Sequence, residues 1–203
     1  MLKEFLTPEQ NRNNAIKLAH AIYQDGFIPD VIYVSLRGGS YIGNVISEYF
    51  KLVRRGQRPV FYAAVVAHSY NDLYSRNNVR IDGWTYDPEY LRNGDKVLLV
   101  DDIFDSGKTL NHLLSIIESK GVPREDIKIA VHDYKIRTFT AEQVKAQPDY
   151  YYKKIVITKP EDDHWIHYMT HELVGLTEKE IDNYYSADPE VQEILKQIIA
   201  RDH

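Results

Sequence analysis

Val97-Leu98-Leu99-Val100-Asp101-Asp102-Ile103-Phe104-Asp105-Ser106-Gly107-Lys108-Thr109 runs from four apolar residues into three acids, two hydroxyls, a glycine and a lysine. Four consecutive apolar residues with no polar alternation predict a strand buried on both faces, as in the centre of a parallel sheet. Leu110, Leu113, Leu114 and Ile117 then recur at helical spacing up to Gly121, so the strand feeds a helix. The polar stretch between them falls at a strand's carboxyl end, where open parallel sheets bind their ligands.

The same grammar repeats on both sides. Val31 to Val34 reads as a strand, followed by the apolar stripe Ile42, Val45, Ile46, Tyr49 and Phe50. Val60 to Ala67 and Ile127 to Val131 are further strand-like runs. Thr7-Pro8-Glu9-Gln10 has the form of a capping box with proline in the first turn. It opens a helix through Ala15, Leu18, Ala19, Ile22 and Tyr23 that Gly26 closes. Strands alternating with helices predict an α/β fold: a central parallel sheet with helices on both faces and right-handed crossovers. Residues 69–93 are polar and read as a long mobile connection of the kind that serves as a lid. After Pro148 come Tyr-rich strand-like runs and a turn at 160–163. Two short helices near 177–185 and 188–201 follow, as an appendage to the core sheet. No repeat or linker-like tract divides the 203 residues, so a single domain over 1–203 is expected, its core at about 28–135.

Composition narrows the function. Lys and Arg number 25 against 30 Asp and Glu, a formal charge of −5, which argues against a nucleic-acid surface but leaves room for a small anion. The absence of cysteine removes disulfides, thiolate metal sites and cysteine nucleophiles, and fits a reducing compartment. The start, MLKEFLTPEQNRNN, has no apolar signal region, and no stretch approaches a membrane span. A soluble, cytoplasmic protein is expected, with no nucleic-acid or membrane partner.

Asp105 to Thr109 offers glycine, two hydroxyls and successive amides opening a helix beside Lys108, a phosphate cradle. A nucleoside-triphosphate loop of the form G-x-x-x-x-G-K-[ST] needs glycine at position 102, where Asp102 stands. A receiver domain places its acidic pair on the first strand, and half of this chain precedes the pair. Strand-end caps or a solvated edge would explain Asp101-Asp102 alone, but not with the cradle attached. Carboxylates beside a phosphate cradle suit a sugar phosphate, since they accept from ribose hydroxyls and help hold Mg²⁺. Arg37-Gly38-Gly39, also between a strand and a helix, suits a second anion, its glycines letting backbone approach phosphate.

The stretch 97–109 resembles the phosphoribosyl-pyrophosphate (PRPP) signature of the type I phosphoribosyltransferases. The resemblance implies the fold above plus a small hood subdomain (about 149–175), Mg²⁺ dependence, and displacement of pyrophosphate from ribose C1 by a nitrogen base. It implies that Arg37, Gly38 and Gly39 hold the pyrophosphate, with the Leu36–Arg37 peptide cis. Asp101 and Asp102 hold ribose and metal, while Ser106, Gly107, Lys108 and Thr109 hold the 5′-phosphate. Asp105 becomes the general base or proton holder beside the purine imidazole ring. Ser69-Tyr70 resembles the pair on the flexible loop (about 69–93) of 6-oxopurine enzymes, which closes over pyrophosphate and excludes water.

Asp162-Asp163-His164-Trp165-Ile166-His167 resembles the hood segment of bacterial xanthine-guanine phosphoribosyltransferases. There the Trp, here Trp165, stacks on the purine, and backbone near the next residue, Ile166, reads its edge. Lys135 resembles the lysine that donates to the exocyclic oxygen of a 6-oxopurine, a donor that disfavours adenine.

The implied activity converts hypoxanthine, guanine or xanthine and PRPP into a nucleoside 5′-monophosphate and pyrophosphate, in a homo-oligomer (dimer or tetramer). Two alternatives use the same loops: a non-catalytic regulator that senses PRPP or a nucleotide, and a phosphoribosyltransferase for another base. The chain departs from the pattern after Ile166, where Met169-Thr170-His171-Glu172 replaces the usual Pro-Trp-acid run. Segment 173–203 (C-terminal helices about 176–203) matches nothing in the family pattern. His164, His167 and His171 lie close together without a further ligand set at zinc spacing.

Overall fold

In a computed structural model, residues 2–72, 75–140 and 145–200 are described, 68–72 and 75–78 by backbone alone. They form two compact units, Met1–Thr170 and His171–His203.

The first unit carries eight strands in two sheets. In chain order its elements are β1 (Lys3–Leu6), α1 (Pro8–Gln24), β2 (Val31–Leu36), α2 (Ser40–Val53), β3 (Phe61–Asp72), β4 (Ser75–Trp84), β5 (Val97–Phe104), α3 (Lys108–Ser119), β6 (Ile127–Arg137), β7 (Tyr150–Ile157) and β8 (Trp165–Tyr168). The larger sheet has the order β4-β3-β2-β5-β6-β7, and only β4 runs antiparallel. Strand order reverses between β2 and β5, which opens a crevice beyond their carboxyl ends. The two loops singled out for their chemistry leave these two strands.

The sheet is covered on both faces, as expected. Val31, Tyr33, Val97, Leu99, Ile127 and Ile129 pack under α3 through Leu110, Leu113, Leu114 and Ile117. Ile32, Val34, Leu98, Val100 and Ala130 pack under α1 and α2 through Leu18, Ile22, Ile42, Ile46 and Phe50. Val97 to Val100 are fully buried; at about 1.5–3 kcal/mol per buried aliphatic side chain, these four anchor the centre of the sheet. Helix α1 starts where Thr7 accepts from the amide of Gln10 and Gln10 Oε1 accepts from that of Thr7, the anticipated capping box. Such a cap is worth about 1 kcal/mol.

Three features differ from the sequence expectations. The stretch 69–93 is not one long connection. It holds the end of β3 and a second strand, β4, whose Trp84 packs edge-on against Tyr33 at 5.0 Å. Polar residues outnumber apolar ones along β4 because it is an edge strand of the sheet, where they are tolerated.

The stretch 149–175 is divided as well: β7 belongs to the six-stranded sheet, and β8 pairs instead with β1 in a parallel two-stranded ribbon. Finally, β1 is four residues long, too short to show a period. It is held by register with Trp165, Ile166, His167 and Tyr168.

The second unit contains α4 (Glu178–Tyr184), opened by a Thr177–Glu180 capping box, and α5 (Pro189–Ile199), capped by Asp188. Asp182 ties the two, accepting from Gln192 at 2.6 Å and pairing with Lys196. No helix among the described residues is long and apolar enough to cross a membrane.

Candidate active site

The loop after β2 touches the end of β5, and glycine is what lets it. A Cβ on Gly38 would overlap the Asp102 carboxylate, and one on Gly39 would lie 2.6 Å from the carbonyl oxygen of Val100. The Leu36–Arg37 peptide is cis, as the resemblance implied. Arg37 is exposed at the mouth of the turn, and Ser40 opens α2 with its hydroxyl donating to the Arg37 carbonyl at 2.7 Å.

Asp101 and Asp102 lie side by side at this junction. The Asp102 amide donates to Asp101 Oδ1 at 3.1 Å, and the Ile103 amide to Asp102 Oδ1 at 2.8 Å. Burial, and then repulsion from the Asp102 carboxylate, pushes the Asp101 carboxyl well above the ordinary carboxylate range. Adjacent carboxylates held in this way are eased by a cation or by hydroxyl donors brought by a ligand. Two adjacent carboxylates suit Mg²⁺, which keeps several waters and uses one or two carboxylates plus substrate oxygens; among the described residues there is no cluster of three or more ligating acids or histidines. The residues present therefore fit the implied ion. The His164, His167 and His171 group is not such a cluster: His164 faces Glu4 at 3.3 Å, and His167 stacks on Phe5 at 4.7 Å.

Past the acids, the chain turns into α3 at Gly107. Its φ of +70° is left-handed, and a Cβ there would run into the Phe104 ring. Gly107 is the N-cap and offers no side-chain cap, and the Lys108 amide of the first turn of α3 approaches Ser106 Oγ at 3.5 Å, with Thr109 next in the turn. The 12-residue helix adds its positive end to this cradle.

The opposite wall is the end of β6. Lys135 is buried, and its ammonium donates to Asp163 Oδ1 at 3.0 Å and to the carbonyl oxygen of His164. Arg137, two residues on, donates from Nε to Asp163 Oδ2 at 2.7 Å and from a terminal nitrogen to Asp105. Burial alone would raise the Asp163 carboxyl, but the hydrogen bonds from Arg137 and Lys135 outweigh it and hold the group down at about 2. An acid–base string thus runs Asp105–Arg137–Asp163–Lys135 and ends on the backbone beside Trp165. Trp165 is half exposed (51%), whereas Ile166 points the other way and is buried.

The fold therefore brings Arg37, Gly38, Gly39, Asp101, Asp102 and the 105–109 turn into one crevice, and joins Lys135 and the Trp165 segment to Asp105. Ser69 and Tyr70 lie in β3, but their side chains fall outside the described residues. Arg137 and the pairing role of Asp163 escaped the sequence reading. A Lys-x-Arg spacing on one strand is the signal that was available.

A cavity of about 290 Å³ lies elsewhere, between α1 and the β6–β7 pair, lined by Glu4, Asn14, His132, Asp133, Tyr152 and Lys153 among others. Of the expected site residues only Ile166 reaches it, and it lacks the amide cradle and the acid pair.

The family model for the phosphoribosyl transferase domain matches residues 3–172. A xanthine phosphoribosyltransferase of Bifidobacterium animalis subsp. lactis is 49% identical over 43 residues, a stretch covering 21% of this chain and 22% of that protein's length. Among solved structures, a purine phosphoribosyltransferase from Pyrococcus horikoshii superposes with a TM-score of 0.62 at 24% identity, over 87% of this chain and 99% of that one. A hypothetical protein from Neisseria gonorrhoeae with bound ppGpp gives 0.63 at 18% identity, over 85% and 91%. The xanthine-guanine-hypoxanthine phosphoribosyltransferase of Helicobacter pylori gives 0.52 at 16%, over 83% and 91%. These identities establish a shared fold.

Proposed function

The chain belongs to the phosphoribosyl transferase domain family, and on that premise we propose that it joins a 6-oxopurine to PRPP, releasing pyrophosphate and a nucleoside 5′-monophosphate. The observation that carries the proposal is the junction of Gly38 with Asp102, one step from the Gly107 cradle. A glycine turn on each side of the carboxylate pair supports an anion site at either end, the layout that a pentose phosphorylated at both ends requires.

Arg37 and the amides of 37–39 take the pyrophosphate, the amides of 106–109 the 5′-phosphate, and Asp101 with Asp102 the ribose diol. Bound Mg²⁺, held by Asp101 and Asp102, supplies positive charge to the diol and to the departing pyrophosphate. The C1–O bond breaks with oxocarbenium character, so catalysis is chiefly positioning and charge stabilisation.

Trp165 offers a wide face to stack on the base, worth roughly 1–3 kcal/mol. Lys135 donates to the C6 oxygen, and backbone at Ile166 reads the ring edge. Asp105 takes the proton of the base as the new C–N bond forms, a role worth about 10²–10⁴-fold. Arg137, which already touches Asp105, keeps that carboxylate aimed at the base.

The test is pyrophosphate release from PRPP and Mg²⁺ against a panel of purines and pyrimidines. Turnover with hypoxanthine, guanine or xanthine is expected, and turnover confined to orotate, uracil or adenine would refute the base assignment. One observation favours a second reading: the Neisseria neighbour is described with ppGpp bound, so a nucleotide-sensing regulator on this fold would bind such a ligand and release no pyrophosphate with any base.

A further inference from the structure

Side chains alternate along a strand, so two consecutive acids on a regular β5 would point to opposite faces of the sheet. Here they meet: the Asp101 carboxyl interacts with Asp102 and with the Ser35 hydroxyl, while the Asp102 carboxylate lies against Gly38. The alternation slips once. Val97 and Leu99 share a core cluster with Phe104, while Leu98 and Val100 belong to the other. Strand β6 slips at the same rank, its Ile127, Ile129 and Val131 lying with Tyr134. Pairing runs through Asp101–Val131 and Val131–Tyr151 and resumes at Ile103–Asp133 and Asp133–Lys153. A kink thus crosses three strands at Asp102, His132 and Tyr152.

A kink takes backbone groups out of the ladder, and buried ones must find other partners. The carbonyl oxygen of Asp102 faces the Tyr168 hydroxyl at 3.1 Å, and that hydroxyl also donates to Asp133 Oδ2 at 2.6 Å. Its one proton is shared between the two acceptors. The same Asp133 oxygen lies 2.7 Å from His132 Nδ1, and His132 Nε2 lies 3.0 Å from Asn14 Nδ2. With the Asn14 amide donating to Nε2, the Nδ1–H donates to Asp133. A bond between the side chains of consecutive strand residues is itself a product of the slip.

Asp133, His132 and Tyr168 are 1–2% exposed. Polar groups buried this deeply stabilise a fold less than well-packed apolar ones would, so their use here calls for a positional reason.

We propose that Asn14, His132, Asp133 and Tyr168 form a brace on the Asp102 peptide. Tyr168 and Asp133 are positioning residues that hold the β5 kink in the form that turns both carboxylates into the crevice. The kinetic consequence rests on the PRPP reading above; the structural one does not.

Tyr168→Phe removes the hydroxyl and keeps the ring. The amides of Asp102 and Ile103 donate to the two carboxylates themselves, so their hydrogen exchange reports the kink directly. Exchange at these amides is expected to speed up about tenfold, with Val31–Val34 of β2 unchanged. The KM for PRPP should rise about five- to tenfold while the KM for the base stays within about twofold.

Asp133→Asn, which keeps an acceptor for the hydroxyl, is expected to move both readouts in the same direction by less, and it serves if Tyr168→Phe does not fold. Unchanged exchange at Asp102 and Ile103 overturns the brace. So does a fall in kcat with both KM values rising together, the mark of general damage. If the unmodified protein releases no pyrophosphate with any base, the proposed reaction fails, and the exchange measurement still decides the brace by itself.

Discussion

The crevice is walled by two strand ends that work by different means. At the end of β5 the tools are contiguous: two carboxylates in a row, then a left-handed glycine, then the first turn of α3. At the end of β6 the tools are dispersed. Lys135 and Arg137 act through Asp163 and Asp105, which lie 28 and 32 residues away in sequence. The first wall is a backbone device, whose geometry depends on what cannot fit. The second is a charge network, whose geometry depends on which partners arrive. Backbone devices should therefore fail by strain, and charge networks by loss of selectivity and by titration.

The largest expected effect sharpens the boundary between the walls. Asp105→Asn should retain PRPP affinity in a calorimetric titration and lose about 10²–10⁴-fold in kcat, because Asp105 follows directly on β5 while the role proposed for it is at the base. Next comes the backbone wall alone. Gly107→Ala meets both a positive φ and the Phe104 ring, costs that together should reach about 3 kcal/mol in a urea midpoint measurement. Gly26→Ala, also at positive φ but with open space around it, should lose only about 1 kcal/mol.

On the other wall, Lys135→Ala should raise the KM for a 6-oxopurine about tenfold and leave the KM for PRPP nearly unchanged. A matching rise in both would merge the two walls into one functional unit.

The smallest effect is electrostatic. Asp163 is held at about 2 against an ordinary value of 3.8. A depressed carboxyl adds stability that is complete above the unfolded value, and that stability is lost as pH falls from about 4 through 2. The contribution should be about 1 kcal/mol, since the pair is partly open to solvent. Arg137→Ala should flatten the slope of stability against pH in this window; an unchanged slope would assign the acid sensitivity elsewhere.

The same contrast explains what could be read from the amino-acid order. The β5 wall is legible because its parts are adjacent: buried strand, acids, glycine and helix start follow one another, and the spacing alone separates them from a triphosphate loop. The central sheet and the capping box at Thr7 are legible for the same reason, each being a local pattern with its own period. The Asp163 pairing and the brace through Tyr168 are not, because the Lys-x-Arg spacing on β6 marks two cations without naming their partner, and the residues of the brace lie far apart in sequence.

The β1–β8 ribbon was hidden by its length, four residues being too few for alternation to register. Strand β4 was hidden by its place at the sheet edge, where polar residues are tolerated.

On the reaction proposed, the acid pair grips PRPP together with the Gly38-Gly39 turn after β2 and the Gly107 turn after β5. Calorimetric titration of PRPP into the protein with and without Mg²⁺, repeated on Asp101→Asn/Asp102→Asn, tests it most directly. Saturable binding that strengthens with Mg²⁺ and loses that Mg²⁺ dependence in the double variant is the predicted result; no heat from the unmodified protein, or equal binding by the variant under both conditions, would contradict it.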